Sequence, residues 1–140
     1  MLFNTLSRKR KENLPKTIKH YISASGISVY PSSFSEMYDE RFPSYDKSFL
    51  GQVVEEWEQS VKPFDTLDVQ TCIIRTGIVL SKEGGALDKM LKPIKSGVGA
   101  PLGSGKQWQS WIHIDDIVGI YYHAITNKLT GIYNLSLIHI

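Results

Sequence analysis

The feature that most constrains the fold is the segment 69–80, which is rich in β-branched residues and almost continuously apolar. A strand with one face in solvent shows alternating polar residues, and this segment lacks that alternation. Such a run is typical of a parallel strand covered on both faces. The segment therefore predicts one buried strand, with the single charge of Arg75 inside it.

The residues before this strand predict an amphipathic helix. Ser48 is a good N-cap, Pro63 is a stop, and apolar residues recur at every fourth position between them. The apolar positions are Phe49, Val53, Trp57 and Val61, with Leu50 and Val54 beside them, and the residues expected on the opposite face are Glu55, Glu56 and Glu58. A helix that leads into a buried strand indicates a β-α-β unit.

Four further segments complete the pattern. Tyr21 to Gly26 predicts a short strand, and the aperiodic residues Pro31 to Asp46 predict a long surface loop. A helical pattern from Leu87 to Ile94 and another that begins at Asp115 or Asp116 predict two more helices. The order β, α, β, α, β, α predicts an α/β fold with a parallel sheet.

Length and charge limit the classes of partner. The chain has 140 residues, is 41% hydrophobic, and carries a net charge of +2 from 16 basic and 14 acidic residues. This suits one globular domain with no general attraction for polyanions, so we expect neither a nucleic acid nor a membrane as partner. The basic run Arg8 to Lys11 is interpreted as a solvated helix end, with a nucleic-acid patch as the alternative.

The cysteine content and the hydropathy of the chain indicate the cellular compartment of the protein. Cys72 is the only cysteine, and its β-branched surroundings favour a small core residue in a reducing compartment. No window reaches the ~18 consecutive apolar residues of a membrane span, and the first residues lack the apolar core of a secretion signal. We therefore expect a cytoplasmic protein.

The predicted strands bring candidate binding residues to one edge of the sheet, where ligands of open parallel sheets bind. The small residues 23–26 end the first strand, and Ser25 offers a hydroxyl there. Arg75, near the end of the second, needs either a structural carboxylate or a bound anion, and the sequence leaves both open. Gly84 and Gly85 then open the next helix, whose N–H groups can hold an anion.

The third strand end carries His113, which alternates with Trp111 and Asp115 on one face. A structural role and a catalytic role both stay open, because histidines commonly bond backbone carbonyls and aspartates commonly cap helices. No second histidine or cysteine stands at metal-ligand spacing, so we expect no metal.

Five segments, in this order, resemble one family. They read Ser-Ala-Ser-Gly-Ile-Ser-Val-Tyr at 23–30, Phe-Leu-Gly-Gln-Val-Val-Glu-Glu-Trp-Glu at 49–58, Arg-Thr-Gly-Ile-Val-Leu at 75–80, Gly-Gly-Ala-Leu-Asp-Lys-Met at 84–90 and Ser-Trp-Ile-His-Ile-Asp-Asp at 110–116. Together they resemble the NAD(P)-dependent epimerase/dehydratase family of the extended short-chain dehydrogenase/reductase superfamily. Within it, they resemble the sugar-nucleotide-epimerase-like branch often labelled cell-division-inhibitor-like.

The resemblance implies a partial Rossmann-type domain over residues 1–134, with substrate-binding insertions at about 84–114. It implies NAD or NADP as cofactor, and a sugar nucleotide or a similar small carbonyl or hydroxyl compound as substrate. Ser25 falls at the catalytic Ser/Thr position, where it would hydrogen-bond the substrate oxygen. The implied cofactor side is Ser23, Ala24, Arg75, Gly77 and Ile78, and the implied substrate side is Gly84, Gly85, Trp111, His113 and Asp115.

The chain departs from the superfamily in two places. The superfamily's Tyr-x-x-x-Lys motif uses the lysine to lower the pKa of the tyrosine, and Phe49 and Val53 stand at those positions here. Tyr30 or Tyr45 is left to supply a phenol, and Tyr30 is our second catalytic candidate. No glycine-rich pyrophosphate turn follows a strand, so we expect the second half of a longer protein, inactive alone.

The last six residues are excluded from the fold prediction. Leu-Ser-Leu-Ile-His-Ile, residues 135–140, is what translation of a common transposase sequencing adapter gives. We interpret the hexapeptide as an artefact, with a genuine apolar strand as the alternative.

Two functions fit these residues. The first is an NAD(P)-dependent oxidoreductase or epimerase. The second is a non-catalytic NAD(P)-binding regulator or interaction module of the same fold, which the missing Tyr/Lys pair favours. The oligomeric state does not follow from the sequence.

Overall fold

The computed structural model describes residues 18–101, 104–106 and 109–136. The basic run Arg8 to Lys11 and residues 137–140 lie outside this part of the chain, so their interpretations stay predictions. Of the hexapeptide set apart above, Leu135 and Ser136 are described, and Leu135 ends a strand.

Helices and strands are interleaved along the described chain, as in an α/β fold, with three strands in succession between the first two helices. The elements are β1 His20–Gly26, a 3-10 turn Ile27–Val29, α1 Phe49–Gln59, a second 3-10 turn Lys62–Leu67, β2 Gln70–Thr76, β3 Ile78–Ser81, β4 Gly84–Gly85, α2 Ala86–Lys95, β5 Trp111–His113, α3 Ile114–Thr126 and β6 Gly131–Leu135.

The main sheet has the order β1-β2-β6, and both of its strand pairs are parallel. Its core is a cluster of Cys72, Ile74, Ile112, Ala124 and Leu135. Cys72 is fully buried and has no disulfide partner, which confirms its prediction as a core residue. The predicted parallel sheet is likewise confirmed.

The prediction of one continuous strand over 69–80 is wrong, because the segment divides at Gly77. β2 stays in the main sheet, whereas β3 pairs with β4 and β5 in a second sheet. At the division the Gly77 N–H donates to the Leu135 carbonyl over 3.0 Å. A Cβ on Gly77 would lie 2.7 Å from the carbonyl oxygen of Ser110, so glycine permits the chain to change sheets here.

Helix α1 begins where predicted, and the Ser48 hydroxyl accepts from the Gly51 N–H at its start. The predicted apolar face is correct only in part: Val54 and Val61 are buried, and Val53 and Trp57 are half-buried. Phe49 is 78% exposed, whereas the buried positions of the helix are Gly51, Val54 and Glu58. The helix is rotated this way because the charge of Glu58 finds a partner inside the fold.

The N-terminus of α3 also differs from the prediction. The N-cap is His113, whose Nδ1 accepts from the Asp115 N–H over 3.3 Å, and Asp116 lies in the first turn. Strand β5 therefore ends at His113, and the predicted alternation of Trp111, His113 and Asp115 along one strand is wrong for Asp115. The ring nitrogen of His113 thus makes the capping hydrogen bond that the sequence assigned to an aspartate carboxylate.

The predicted surface loop between β1 and α1 is confirmed over Pro31 to Asp46, where no helix or strand forms. Its start packs through the rings of Tyr30, Tyr38 and Phe42, and the Asp46 N–H returns to the Val29 carbonyl over 2.7 Å. Both ends of the loop therefore lie close to the end of β1. None of the helices in the described segments has the length and apolarity needed to cross a bilayer.

Candidate functional site

The register of the main sheet aligns three polar side chains at its carboxyl edge. Ser25 on β1 lies opposite Arg75 on β2, and Arg75 lies opposite Asn134 on β6. Side chains at matching positions of neighbouring parallel strands share one face of the sheet. This edge is where open α/β sheets bind ligands. The sequence predicted Ser25 and Arg75 here, and the structure adds Asn134.

A buried ion pair lies within this row. The Arg75 guanidinium donates to the Glu58 carboxylate from Nε to Oε1 and from Nη2 to Oε2, each over 2.8 Å. The two side chains are only 4% and 2% exposed, respectively. Of the two partners that the sequence left open for Arg75, the structure shows the carboxylate.

The ion pair keeps both of its members charged. Burial alone would raise the pKa of Glu58, but hydrogen bonds from Arg75 and Ser25, with the Arg75 charge, outweigh it and lower that pKa. Burial would likewise lower the pKa of Arg75, and the hydrogen bonds and charge of Glu58 raise it instead. The charged carboxylate of Glu58 is therefore held beside Ser25, near the carboxyl end of β1.

Ser25 is bonded to this carboxylate. Its hydroxyl donates to Glu58 Oε1 over 2.6 Å, and the side chain is buried. A serine hydroxyl has one proton and two lone pairs, so in this arrangement it can offer only a lone pair to a further group. The hydrogen bond that the resemblance implies between Ser25 and a substrate oxygen then requires a substrate hydroxyl as the donor.

Tyr30 lies on the other side of the guanidinium. Arg75 Nη1 donates to the Tyr30 phenol oxygen over 2.8 Å, and the Arg75 cation stands 5.2 Å from the centre of the Tyr30 ring. The phenol proton has two acceptors within reach, Asn134 Oδ1 at 2.9 Å and the Asp39 carbonyl oxygen at 3.0 Å. The structure thus joins the two catalytic candidates, Ser25 and Tyr30, through one ion pair.

Tyr45 was the other phenol that the sequence left open. Its hydroxyl donates to Glu58 Oε2 over a longer distance, 3.3 Å. Burial, followed by the charge of Glu58, raises the pKa of Tyr45, so this phenol holds its proton firmly at neutral pH. Of the two phenols, only Tyr30 contacts both Arg75 and Asn134.

The other residues predicted on the cofactor side flank the row. Ser23 and Ala24 precede Ser25 on β1, and their side chains are buried and exposed, respectively. Gly77 and Ile78 follow Arg75 along the chain, where Gly77 packs tightly against the backbone of residue 110. All of them lie at or near the carboxyl ends of β1 and β2, and their contact with a cofactor stays a prediction.

The residues predicted on the substrate side lie in the second sheet and at the start of α3. Gly84 and Gly85 form β4, Trp111 and His113 bound β5, and Asp115 follows. A cleft of about 480 Å³ has both Asp115 and Asn134 in its lining, so it connects this side with the Ser25 row.

His113 and Asp115 form a close pair in this region, with Nδ1 and Oδ2 3.5 Å apart. Within the described residues, however, no group of three or more His, Cys, Asp or Glu side chains is arranged to hold a metal ion. The pair lies at the start of α3, where His113 is the N-cap.

Sequence reasoning missed Glu58 and Asn134. A signal for Glu58 was available, because a buried arginine needs an anion and the preceding helix carries carboxylates. No comparable signal pointed to Asn134, whose role depends on the pairing of β6 with β2.

Comparison with known proteins places this geometry in a family. Residues 11–136 match the model of the NAD dependent epimerase/dehydratase family. The chain belongs to this family. It is 43% identical over 106 residues to the chloroplastic epimerase family protein SDR39U1 homolog of Arabidopsis thaliana, covering 76% of this chain and 30% of that protein. It is 37% identical over 122 residues to the human epimerase family protein SDR39U1, covering 86% of this chain and 41% of that protein.

Solved structures agree with this family and with a Rossmann-type fold. The human epimerase family protein SDR39U1, solved with NADPH, has a TM-score of 0.82 at 34% identity, covering 96% of this chain and 45% of that one. A nucleoside-diphosphate sugar epimerase from Corynebacterium glutamicum also has a TM-score of 0.82, at 30% identity, covering 96% of this chain and 28% of that one. The chain spans less than half the length of the relatives it matches.

Proposed function

We propose that this chain contributes the nicotinamide-facing and substrate-facing residues of an NAD(P)-dependent epimerase or oxidoreductase that acts on a sugar nucleotide or a similar small carbonyl or hydroxyl compound. The observation that carries the proposal is the row of Ser25, Arg75 and Asn134, joined by Tyr30, at the carboxyl edge of a parallel sheet. Its family includes a protein solved with NADPH.

The residues present suit the nicotinamide end of such a cofactor. The carboxyl end of β1 is built from small residues, so a flat ring can approach the backbone there. Ser23, Ala24, Gly77 and Ile78 are the residues we assign to holding it. When bound, a nicotinamide accepts a hydride from a substrate carbon or returns it.

The chain's own side chains would orient the substrate and hold its proton. Ser25 directs a lone pair at a substrate hydroxyl, because its own proton goes to Glu58. The Tyr30 proton, shared between Asn134 and a backbone carbonyl, is the one available to a substrate oxygen that takes the place of either acceptor. In the direction that reduces a carbonyl, a hydride would pass from the nicotinamide to the carbonyl carbon and the Tyr30 proton to the carbonyl oxygen, which would leave a phenolate beside the Arg75 guanidinium. Oxidation of the hydroxyl would return both.

The first experiment is a calorimetric titration of the complete gene product with NADH and NADPH. We expect binding of at least one of them, and no heat for either at high concentration would contradict the proposal. Turnover is then screened with UDP-sugars and GDP-sugars and with simple carbonyls. Ser25→Ala is expected to lower turnover without loss of the fold, with Ser35→Ala in the exposed loop as the matched control.

A second function is favoured by one observation. Phe49, at the position of the superfamily's tyrosine, is 78% exposed, and Val53 supplies no amine. A non-catalytic NAD(P)-binding regulator of the same fold is consistent with this loss. It predicts cofactor binding in the same titration, with no turnover of any tested substrate and no effect of Ser25→Ala on binding.

A further inference from the structure

The Glu58 carboxylate uses all of its acceptor sites. Oε1 accepts from Ser25 Oγ and Arg75 Nε, and Oε2 accepts from Arg75 Nη2 and Tyr45 Oη. A carboxylate offers about four such sites. Donors from β1, from β2 and from the loop before α1 thus converge on one side chain, which leaves it a single orientation.

Stability alone does not account for this pair. A buried ion pair is commonly no more stable than a well-packed apolar pair of similar volume, because desolvation offsets the attraction between the charges. What an apolar pair cannot do is orient hydroxyl groups. Here the carboxylate orients the Ser25 hydroxyl, and the guanidinium orients the Tyr30 phenol.

We propose that Glu58 and Arg75 are positioning residues: Glu58 binds the Ser25 proton so that the hydroxyl offers its lone pairs to the substrate, and Arg75 holds the Tyr30 phenol beside Asn134. The inference rests on the proposed function, because it assigns Ser25 and Tyr30 to the substrate. It gives a role to the carboxylate of Glu58 on α1, which acts through Ser25 and to which the resemblance assigned no role.

The variant Glu58→Gln changes the hydrogen-bonding capacity of the side chain at this position but hardly changes its shape. An amide has nearly the same volume, but only one of its two terminal atoms accepts hydrogen bonds. Each oxygen accepts from two donors, so two of the four donors then face an NH₂ group. In either orientation of the amide, Arg75 loses one of its two hydrogen bonds and Ser25 loses its charged acceptor, while the packing of α1 on the sheet is kept.

A double-mutant cycle of Glu58→Gln with Ser25→Ala tests whether Glu58 acts through Ser25. The readout is hydride transfer from UDP-glucose, whose hydroxyls can donate to Ser25, to bound NADP⁺ in a single turnover of the complete gene product. Each single variant is expected to slow transfer by roughly 10- to 100-fold, as misplacement of reacting groups does. In the Ser25→Ala background, Glu58→Gln is expected to have less than about a twofold effect, because its target is gone.

Additive losses, or full activity of Glu58→Gln, would overturn the positioning role while leaving the proposed function intact. Failure of the wild-type protein to bind NADPH or NADH would instead overturn the proposed function, and this inference with it. The matched control is Asp68→Asn, which removes the carboxylate of the exposed Lys19–Asp68 pair and is expected to leave transfer unchanged.

A second readout needs no substrate. A hydroxyl proton donated to a buried carboxylate exchanges slowly with water and gives a separate proton NMR signal, which Ser25→Ala would identify by its loss. We expect that signal in the wild type and in Asp68→Asn, and its loss by rapid exchange in Glu58→Gln. A signal that persists in Glu58→Gln overturns the inference even if UDP-glucose is not oxidised.

The paired variant Glu58→Met with Arg75→Met tests a purely structural role. Because apolar pairs commonly replace buried ion pairs, we expect a thermal midpoint close to that of the wild type, with hydride transfer as slow as in Ser25→Ala. A folded double variant with full transfer would show that the pair only fills space. If the double variant does not fold, Glu58→Gln decides the question.

Discussion

Single residues decide the electrostatics of this site. Glu58 and Arg75 are each surrounded by protein, and either charge alone would be costly to bury. Together they neutralise each other through two parallel hydrogen bonds, which is the strongest arrangement available to these groups. The pKa of Glu58 is lowered as a result, so folding favours its charged form.

This direction fixes the sign of a pH effect. A carboxyl whose pKa is lower in the folded state stabilises that state above its unfolded pKa, and the stabilisation is lost as the pH falls through the folded pKa. The ordinary pKa of a glutamate is 4.5, so the loss is expected below that pH. We expect the free energy of unfolding, measured by urea denaturation from pH 7 to pH 3, to fall more steeply for the wild type than for Glu58→Gln.

The comparison of variants isolates Glu58 from the other carboxyls. The pKa of Asp68 is also lowered, chiefly by its hydrogen bond to Lys19, but this pair is exposed. Water screens such pairs, so Asp68→Asn is expected to follow the wild-type curve closely. Parallel curves for the wild type and Glu58→Gln would contradict the assigned ion pair.

At the scale of elements, the sequence predicted which segments form strands and helices better than how they are oriented. The periods of 2 and 3.6 residues depend on near neighbours, so β1, α1 and the surface loop were predictable. The division of 69–80 at Gly77 depends on the approach of residue 110, which local patterns do not contain. The orientation of α1 depends on Arg75, which reaches Glu58 only after β2 has packed.

A substitution at Gly77 tests the close contact between the two sheets. A Cβ at this position would lie 2.7 Å from the carbonyl oxygen of Ser110, so Gly77→Ala forces the two sheets apart. We expect a loss of about 1–3 kcal/mol in the free energy of unfolding, as overpacking commonly causes. The measurement is urea denaturation of the complete gene product.

Gly119 in α3 is the matched control. A Cβ there meets nothing within 4 Å, and alanine is the better helix former. Gly119→Ala is therefore expected to raise the free energy of unfolding by roughly 0.5–1 kcal/mol. Equal effects of the two substitutions would show that the Gly77 contact is not tight.

At the scale of the whole molecule, large apolar side chains remain on the surface. Val118, Tyr122 and Ile125 are spaced four and three residues apart on α3, and they are 61%, 72% and 60% exposed, respectively. Residues with this spacing share one helix face. An apolar face of this kind favours association with another surface.

We therefore expect the 140-residue chain, expressed alone, to self-associate and to bind the dye ANS. Size-exclusion chromatography with light scattering measures the first property, and dye fluorescence the second. The paired substitution Val118→Lys with Ile125→Lys is expected to reduce both. A wild-type chain that is monomeric and melts in one sharp transition would contradict this expectation.

The sequence by itself determined the order of the elements, the parallel character of the buried strand and the family, because these depend on residue types and spacing within short segments. Only the tertiary structure decided which charges and hydroxyls meet. Tyr30 is 45 positions from Arg75 and 104 from Asn134, and these groups come together because the sheet pairs β1 with β2 and β2 with β6. Glu58 faces inward for the same reason: burying a carboxylate is favourable only where folding has brought a guanidinium beside it.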